Sequence, residues 1–155
     1  MFDIKKCKDL DLIDAYIENK VSSDDNDLFC ENVKNLSENE KTAYCAFHFY
    51  LEQMNDGFIS VFTGYMSPLL YEIRSSLEKI NAVENLKLLN EAIKKINTEN
   101  KSEEEFLEDV INEELYCLDD EETEEEYSKF LSDLDKKVPQ EEDIQKLIIE
   151  YLSKN

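Results

Sequence analysis

Gly57, Gly64, Pro68 and Pro139 are the only glycines and prolines in a chain of 155 residues. Without turn-formers, and with no sustained apolar/polar alternation, the chain has no means of building hairpins or a sheet. The expected fold class is all-α, one compact multi-helix domain of about seven or eight helices. Cap signals place most of them. Ser37 with Glu40 reads as a capping box opening a helix to about Met54. Ser67 and Pro68 read as N-cap and N1 of a helix over 69–80. Ser102 with Glu105 opens one to about Leu118, and Thr123 with Glu126 another to about Leu134. Pro139 is expected to begin the last helix, ending near Ser153. Helices over 4–19 and 83–96 and a short one over 58–62 complete the set. Residues 20–36 read as a loop followed by a helix from Leu28 to Leu36. The expected organisation is a single domain over 1–155, with a helical arm at 1–36, a core at 37–155 and acidic helices at 103–135.

Charge is concentrated in the C-terminal half. Residues 103–143 hold 19 acids against Lys129, Lys136 and Lys137, a net of −16 out of −21 for the whole chain. A pI near 4.3 excludes direct binding of nucleic acid or an anionic membrane, because both would be repelled. The apolar fraction of 41% nevertheless suffices for a core, so disorder of the whole chain is excluded. The start of the chain has no apolar h-region, and no stretch suits a membrane span. Cys7, Cys30, Cys45 and Cys117 are irregularly spaced and read as reduced thiols. The expected setting is cytoplasmic.

The acidic block also carries apolar stripes. Phe106, Leu107, Val110, Ile111, Leu115 and Leu118 recur at helical spacing in its first half, as do Tyr127, Phe130, Leu131, Leu134 and Val138 in its second. The carboxylates are therefore expected on two ordered helices docked to the core. If all 41 residues were helical they would span roughly 60 Å, with one net charge per about 4 Å. Duplex DNA carries one per about 1.7 Å. A surface built to grip phosphates with Lys and Arg could grip such a face. The expected partner-binding residues are Glu103, Glu104, Glu108, Asp109, Glu113, Asp119, Asp120, Glu121, Glu122, Glu124, Glu125 and Asp133. Solvation alone is the competing reading of the same charge.

Catalysis finds little support. No GxSxG, P-loop or GxGxxG is present, and no catalytic residue is assigned. The single histidine, His48, lies in an aromatic helix and reads as packed or boundary-structural. No cofactor is expected. No metal site is expected either: Asp24-Asp25-Asn26-Asp27 lacks the ligand spacing of a calcium loop, and HExxH and ExxH are absent. Loose, unspecific cation binding to the acidic helices is expected. Tyr44, Phe47, Phe49, Tyr50, Phe58, Phe62, Tyr65 and Tyr71 read as main core rather than as a ligand pocket.

The segment Tyr44-Cys-Ala-Phe-His-Phe-Tyr-Leu-Glu-Gln-Met-Asn-Asp-Gly-Phe-Ile-Ser-Val-Phe resembles the helix ending E-x-x-N-G-G-F-x-x-F/Y of a bacterial family of small helical proteins, largely of unknown function. That family includes a dimeric DNA-mimic protein that binds a transcriptional repressor. The matching positions are Glu52, Asn55, Gly57, Phe58 and Phe62, with Asp56 in place of the first glycine. The following helix, Tyr71 to Ala82, also fits, with Asn81 where members carry glycine, and so does the ending Ile149 to Asn155. The motif is expected to be structural, with Gly57 supplying a turn and Phe58 and Phe62 returning to the core. Taken with the acidic block, the resemblance implies a non-catalytic protein-binding module, a DNA mimic that sequesters a basic, DNA-binding protein, and admits a homodimer. Two alternatives stand beside it: an immunity or antitoxin protein neutralising a basic nuclease, and a small-ligand protein or enzyme centred on His48.

Overall fold

Side-chain caps open the helices wherever the sequence offers Ser or Asp at the right place. The computed structural model, which describes residues 1–155, contains α1 (Leu10–Val21), α2 (Asn26–Lys34), α3 (Glu38–Asp56), α4 (Ser60–Thr63), a 3-10 turn (Ser67–Leu69), α5 (Leu70–Lys79), α6 (Val83–Ile96), α7 (Glu103–Ile111), α8 (Tyr116–Asp119), α9 (Glu124–Asp135) and α10 (Ile144–Lys154). Eight of these helices have nine or more residues, and α4 and α8 are single turns. The capping boxes at Ser37/Glu40 and Ser102/Glu105 form as the spacing predicts. The acidic run at 24–27 also caps: the Asp25 carboxylate accepts the Asp27 and Leu28 N–H groups, so α2 starts two residues before Leu28.

Helix α3 organises the rest. Its residues Thr42 to Phe49 are buried without a gap, the mark of a helix covered on all sides. Helices α5 and α10 pack along it, α1 lies across its first half, and α6 rests on α5. One cluster of 37 buried apolar residues, from Ile4 to Leu152, joins every layer, so the fold is all-α and a single domain. The outer layer is the acidic one: α7 lies on the 3-10 turn, α9 on α6, and α8 on α9. Of the aromatic residues expected in the core, Tyr44, Phe47, Phe49, Phe58 and Phe62 are buried and Tyr50 and Tyr71 half-buried, whereas Tyr65 is 43% exposed.

Several expected boundaries are corrected. The first helix begins at Leu10, not Ile4, because Asp9 caps it by accepting the Asp11 and Leu12 N–H groups. Ser67 and Pro68 open only the 3-10 turn, and α5 follows from Leu70. The last helix begins at Ile144, not Pro139, and Asp143 caps it. Residues after Pro139 form a turn, with the Glu142 N–H on the Pro139 carbonyl at 3.3 Å, and the Glu142 carboxylate is used elsewhere. It accepts the N–H groups of Glu84 (2.8 Å) and Asn85 (2.7 Å) at the start of α6, where Ala82 has no capping side chain of its own. Thr123 does not cap α9; its hydroxyl donates instead to the Cys117 carbonyl.

The largest correction lies in the acidic block. The expected helix over 103–118 ends at Ile111. A Schellman turn follows, with the Glu114 N–H on the Asp109 carbonyl, the Glu113 N–H on the Val110 carbonyl, and Glu113 left-handed at φ 57°. Two physical causes favour the stop. Helix α7 has no base in its last turn, so Glu113 and Glu114 in a further turn would sit at the negative end of the helix dipole. Leu115 and Leu118 are buried only because the chain turns back. Ile111, assigned by spacing to the apolar stripe, is 47% exposed. The continuous 60 Å acidic rod therefore does not exist. Helices of nine and twelve residues measure about 14 and 18 Å, joined by a folded segment.

Candidate functional site

The fold sorts the acids into those it uses and those it leaves to solvent. From Glu103 to Ser128 there are fourteen acids and no base. Three of them meet cations supplied from outside that stretch: Glu103 with Arg74 (2.5 Å), Asp109 with Lys101 (2.7 Å) and Glu126 with Lys95 (3.4 Å). Glu105 is spent on the capping box. The remaining ten are Glu104, Glu108, Glu113, Glu114, Asp119, Asp120, Glu121, Glu122, Glu124 and Glu125. All are exposed, and none has a cation within 4 Å. Of these only Asp120 has a defined local role, accepting the Glu122 N–H at 2.8 Å.

Set against the twelve residues expected from the sequence, nine belong to this unneutralised group. Glu103 is exposed but bridged. Asp109 is half-buried, and its hydrogen bond to Lys101 holds the ammonium pKa above its ordinary value. Asp133 lies between Lys129 (2.9 Å) and Lys136 (3.6 Å) on α9, and the hydrogen bond from Lys129 holds its carboxyl below the usual range. Those three are already answered within the chain and offer a partner less. Glu114, outside the twelve, belongs to the same unneutralised group because the turn after Ile111 leaves it exposed. Tyr116 was missed: it is 70% exposed amid the acids and, with Ile111, gives the charged face two apolar contact points.

Three of the motif positions, Gly57, Phe58 and Phe62, lie inside the fold. Gly57 ends α3 at φ 80°, ψ −169°, a region essentially closed to residues with a Cβ. The Phe58 N–H donates to Asp135 Oδ1 at 2.8 Å, so the last residue of α9 is fastened to the end of α3. Burial pushes the Asp135 carboxyl above its ordinary value. Phe58 and Phe62 are buried, Glu52 is half-buried and Asn55 is exposed. Asn81 adopts φ 62° in a second Schellman turn closed by the Ala82 N–H on the Leu77 carbonyl. Asparagine tolerates that conformation better than most residues.

A second cluster surrounds His48. Its ring is buried on α3, with Nδ1 2.5 Å from the Tyr65 hydroxyl and Nε2 2.8 Å from Asp14 Oδ1. Glu18, one turn beyond Asp14 on α1, has Oε1 3.6 Å from Nε2 and accepts from the Tyr44 hydroxyl at 2.6 Å. The Tyr44 ring lies against the imidazole, tilted by 34°, with 4.1 Å between centroids. Burial, then the Glu18 carboxylate, pushes the Tyr44 phenol well above its ordinary value; burial and neighbouring carboxylates do the same to Tyr65. Both hydroxyls stay protonated near neutral pH. The cysteines are all free thiols, and burial pushes Cys45 up to about 12. No helix is long and apolar enough to cross a membrane.

No curated protein and no solved structure matches this chain. Among protein families, the one described as DMP19-like protein matches residues 34–155, a span that takes in the Gly57 turn, His48 and the whole acidic layer. The chain belongs to the DMP19-like protein family.

Proposed function

We propose that this protein is a non-catalytic binding module that offers the acidic layer formed by α7, α8 and α9 to a basic, DNA-binding protein and thereby competes with nucleic acid. The observation that carries the reading is the set of ten exposed carboxylates between Glu104 and Glu125 with no cation beside them. Neighbouring acids are consumed by a cap and by ion pairs, and the ten left over fall together on consecutive elements, whereas unpaired acids elsewhere, such as Asp11, Glu31 and Glu78, are scattered. The folded Schellman turn and α8 gather that charge instead of stretching it along a rod. A partner surface of Lys and Arg would gain both attraction and speed of encounter from such a field. Ile111 and Tyr116 add the apolar contact that fixes a register once charge has brought the surfaces together. The resemblance of the 44–62 segment to a family with a DNA-mimic member supports the same reading.

The test is recovery of partners on immobilised protein at low salt, followed by elution with duplex DNA. A basic DNA-binding protein released by DNA, and by salt in the range where phosphate contacts fail, is the expected result. Recovery of partners that DNA does not displace, or no specific recovery, contradicts the proposal.

A further inference from the structure

We propose that Asp14, Glu18 and His48 form a divalent-cation site, with Zn²⁺ as the ion their chemistry suits best. The three contribute one ligand atom each, and those atoms lie within 4.8 Å of one another. Asp14 and Glu18 stand four residues apart on α1, hence on one face of the helix. His48 meets them from α3. On a tetrahedral ion with ligands at about 2.0–2.1 Å, neighbouring ligand atoms sit about 3.4 Å apart. The two distances from His48 Nε2, 2.8 Å to Asp14 and 3.6 Å to Glu18, bracket that value. The carboxylates must adjust to place all three ligand atoms at that spacing, and both stand on side chains that are partly exposed. One imidazole nitrogen with two carboxylate oxygens suits Zn²⁺ better than Mg²⁺ or Ca²⁺, which favour all-oxygen shells.

The surroundings resemble those of a built site. Metal-bound histidines have their second nitrogen fixed by a hydrogen-bonding group, and here the Tyr65 hydroxyl meets Nδ1. The Tyr44 hydroxyl orients Glu18 in the same way. In the free protein Nε2–H donates to Asp14. In the bound form the ion replaces that proton, and Nδ1–H donates to the Tyr65 oxygen. The His48 side chain is 9% exposed, whereas Asp14 and Glu18 are 22% and 39% exposed, so the ion reaches the cluster from the α1 side and water completes its shell. The site ties α1, which precedes the family-matched span, to the central helix. It is independent of the acidic layer.

The test is a ZnCl₂ titration of chelator-treated full-length protein, with excess MgCl₂ present to occupy the acidic surface. Calorimetry is expected to give one Zn²⁺ per chain, with affinity at least tenfold lower in His48→Ala and in Asp14→Asn and unchanged in Glu104→Gln. Because His48 is the only histidine, its imidazole ¹⁵N resonances report on the intact protein even if a variant fails to fold. The expected change is a large shift confined to Nε2. Tyr65→Phe is expected to weaken binding about tenfold. An Nε2 resonance that does not move while Zn²⁺ binds, no Zn²⁺ binding at all, or equal affinity in wild type and Asp14→Asn overturns the site.

Discussion

Asp135 occupies the space that a side chain at Gly57 would need: a Cβ built there lies 2.1 Å from Asp135 Oδ2, while Oδ1 accepts the Phe58 N–H at 2.8 Å. One carboxylate from the acidic block is thus a clamp between the ends of α3 and α9. Gly57→Ala would force both a disallowed backbone and displacement of that clamp. The expected cost is about 3 kcal/mol of folding stability, read from urea unfolding. Asp135→Ala leaves the Phe58 N–H without its acceptor, with an expected loss of about 1–3 kcal/mol.

Glu142 acts as the N-cap of α6 from 57 residues away along the chain. Glu142→Ala is expected to lower stability by about 1 kcal/mol. It should also speed hydrogen exchange at the Glu84 and Asn85 amides more than at the start of α5. Equal exchange in both forms would show that α6 does not depend on this carboxylate.

Glu113 is a charged, Cβ-bearing residue in a left-handed turn. Glu113→Gly is expected to raise stability by about 1 kcal/mol, seen as a higher urea midpoint with an unchanged slope. The same change removes one unneutralised charge, so it should weaken partner binding slightly while stabilising the fold.

The Glu40 side chain caps α3 through Ser37 and receives Lys20 Nζ at 2.5 Å. Burial pushes its carboxyl up, but the hydrogen bonds from Lys20 and Ser37 prevail, and the folded-state pKa lies below 4.5. Stability from this group is therefore present above pH 4.5 and lost as pH falls through the lower folded-state value. With Lys20 partly in solvent, screening limits the effect to about 1 kcal/mol. Glu40→Gln should be less stable than wild type by that amount at pH 7, and the stabilities of the two should converge as the pH falls through the lowered folded-state value.

Local chemistry was legible in the sequence, and long-range placement was not. Ser37/Glu40 and Ser102/Glu105 announce their helices because a capping box needs only residues three apart. The apolar spacing of Leu131 and Leu134 likewise finds the buried face of α9. The stop after Ile111 has no glycine or proline to signal it; tertiary burial of Leu115 and Leu118 and the helix dipole decide it. Pro139 is a false start: the side-chain cap is Asp143, and Glu142 reaches across to α6, a contact that local spacing does not show. The acidic face was visible as charge, yet its division into used and free carboxylates depended on where Arg74, Lys95 and Lys101 would fall. His48 read as packed because its partners, Asp14 and Glu18, lie 34 and 30 residues away on another helix.

The most direct measurement of the central claim is partner capture by two variants of equal net charge. In one, Asp119, Glu121 and Glu124 become lysine; in the other, the exposed acids Asp11, Glu31 and Glu78 on the rest of the surface do. The account predicts that the first variant, while still folded, loses the DNA-displaceable basic partner and that the second retains it. Equal loss would contradict the account, because net charge and not the α7–α9 face would then govern binding; equal retention would contradict it too, because the face would then be dispensable.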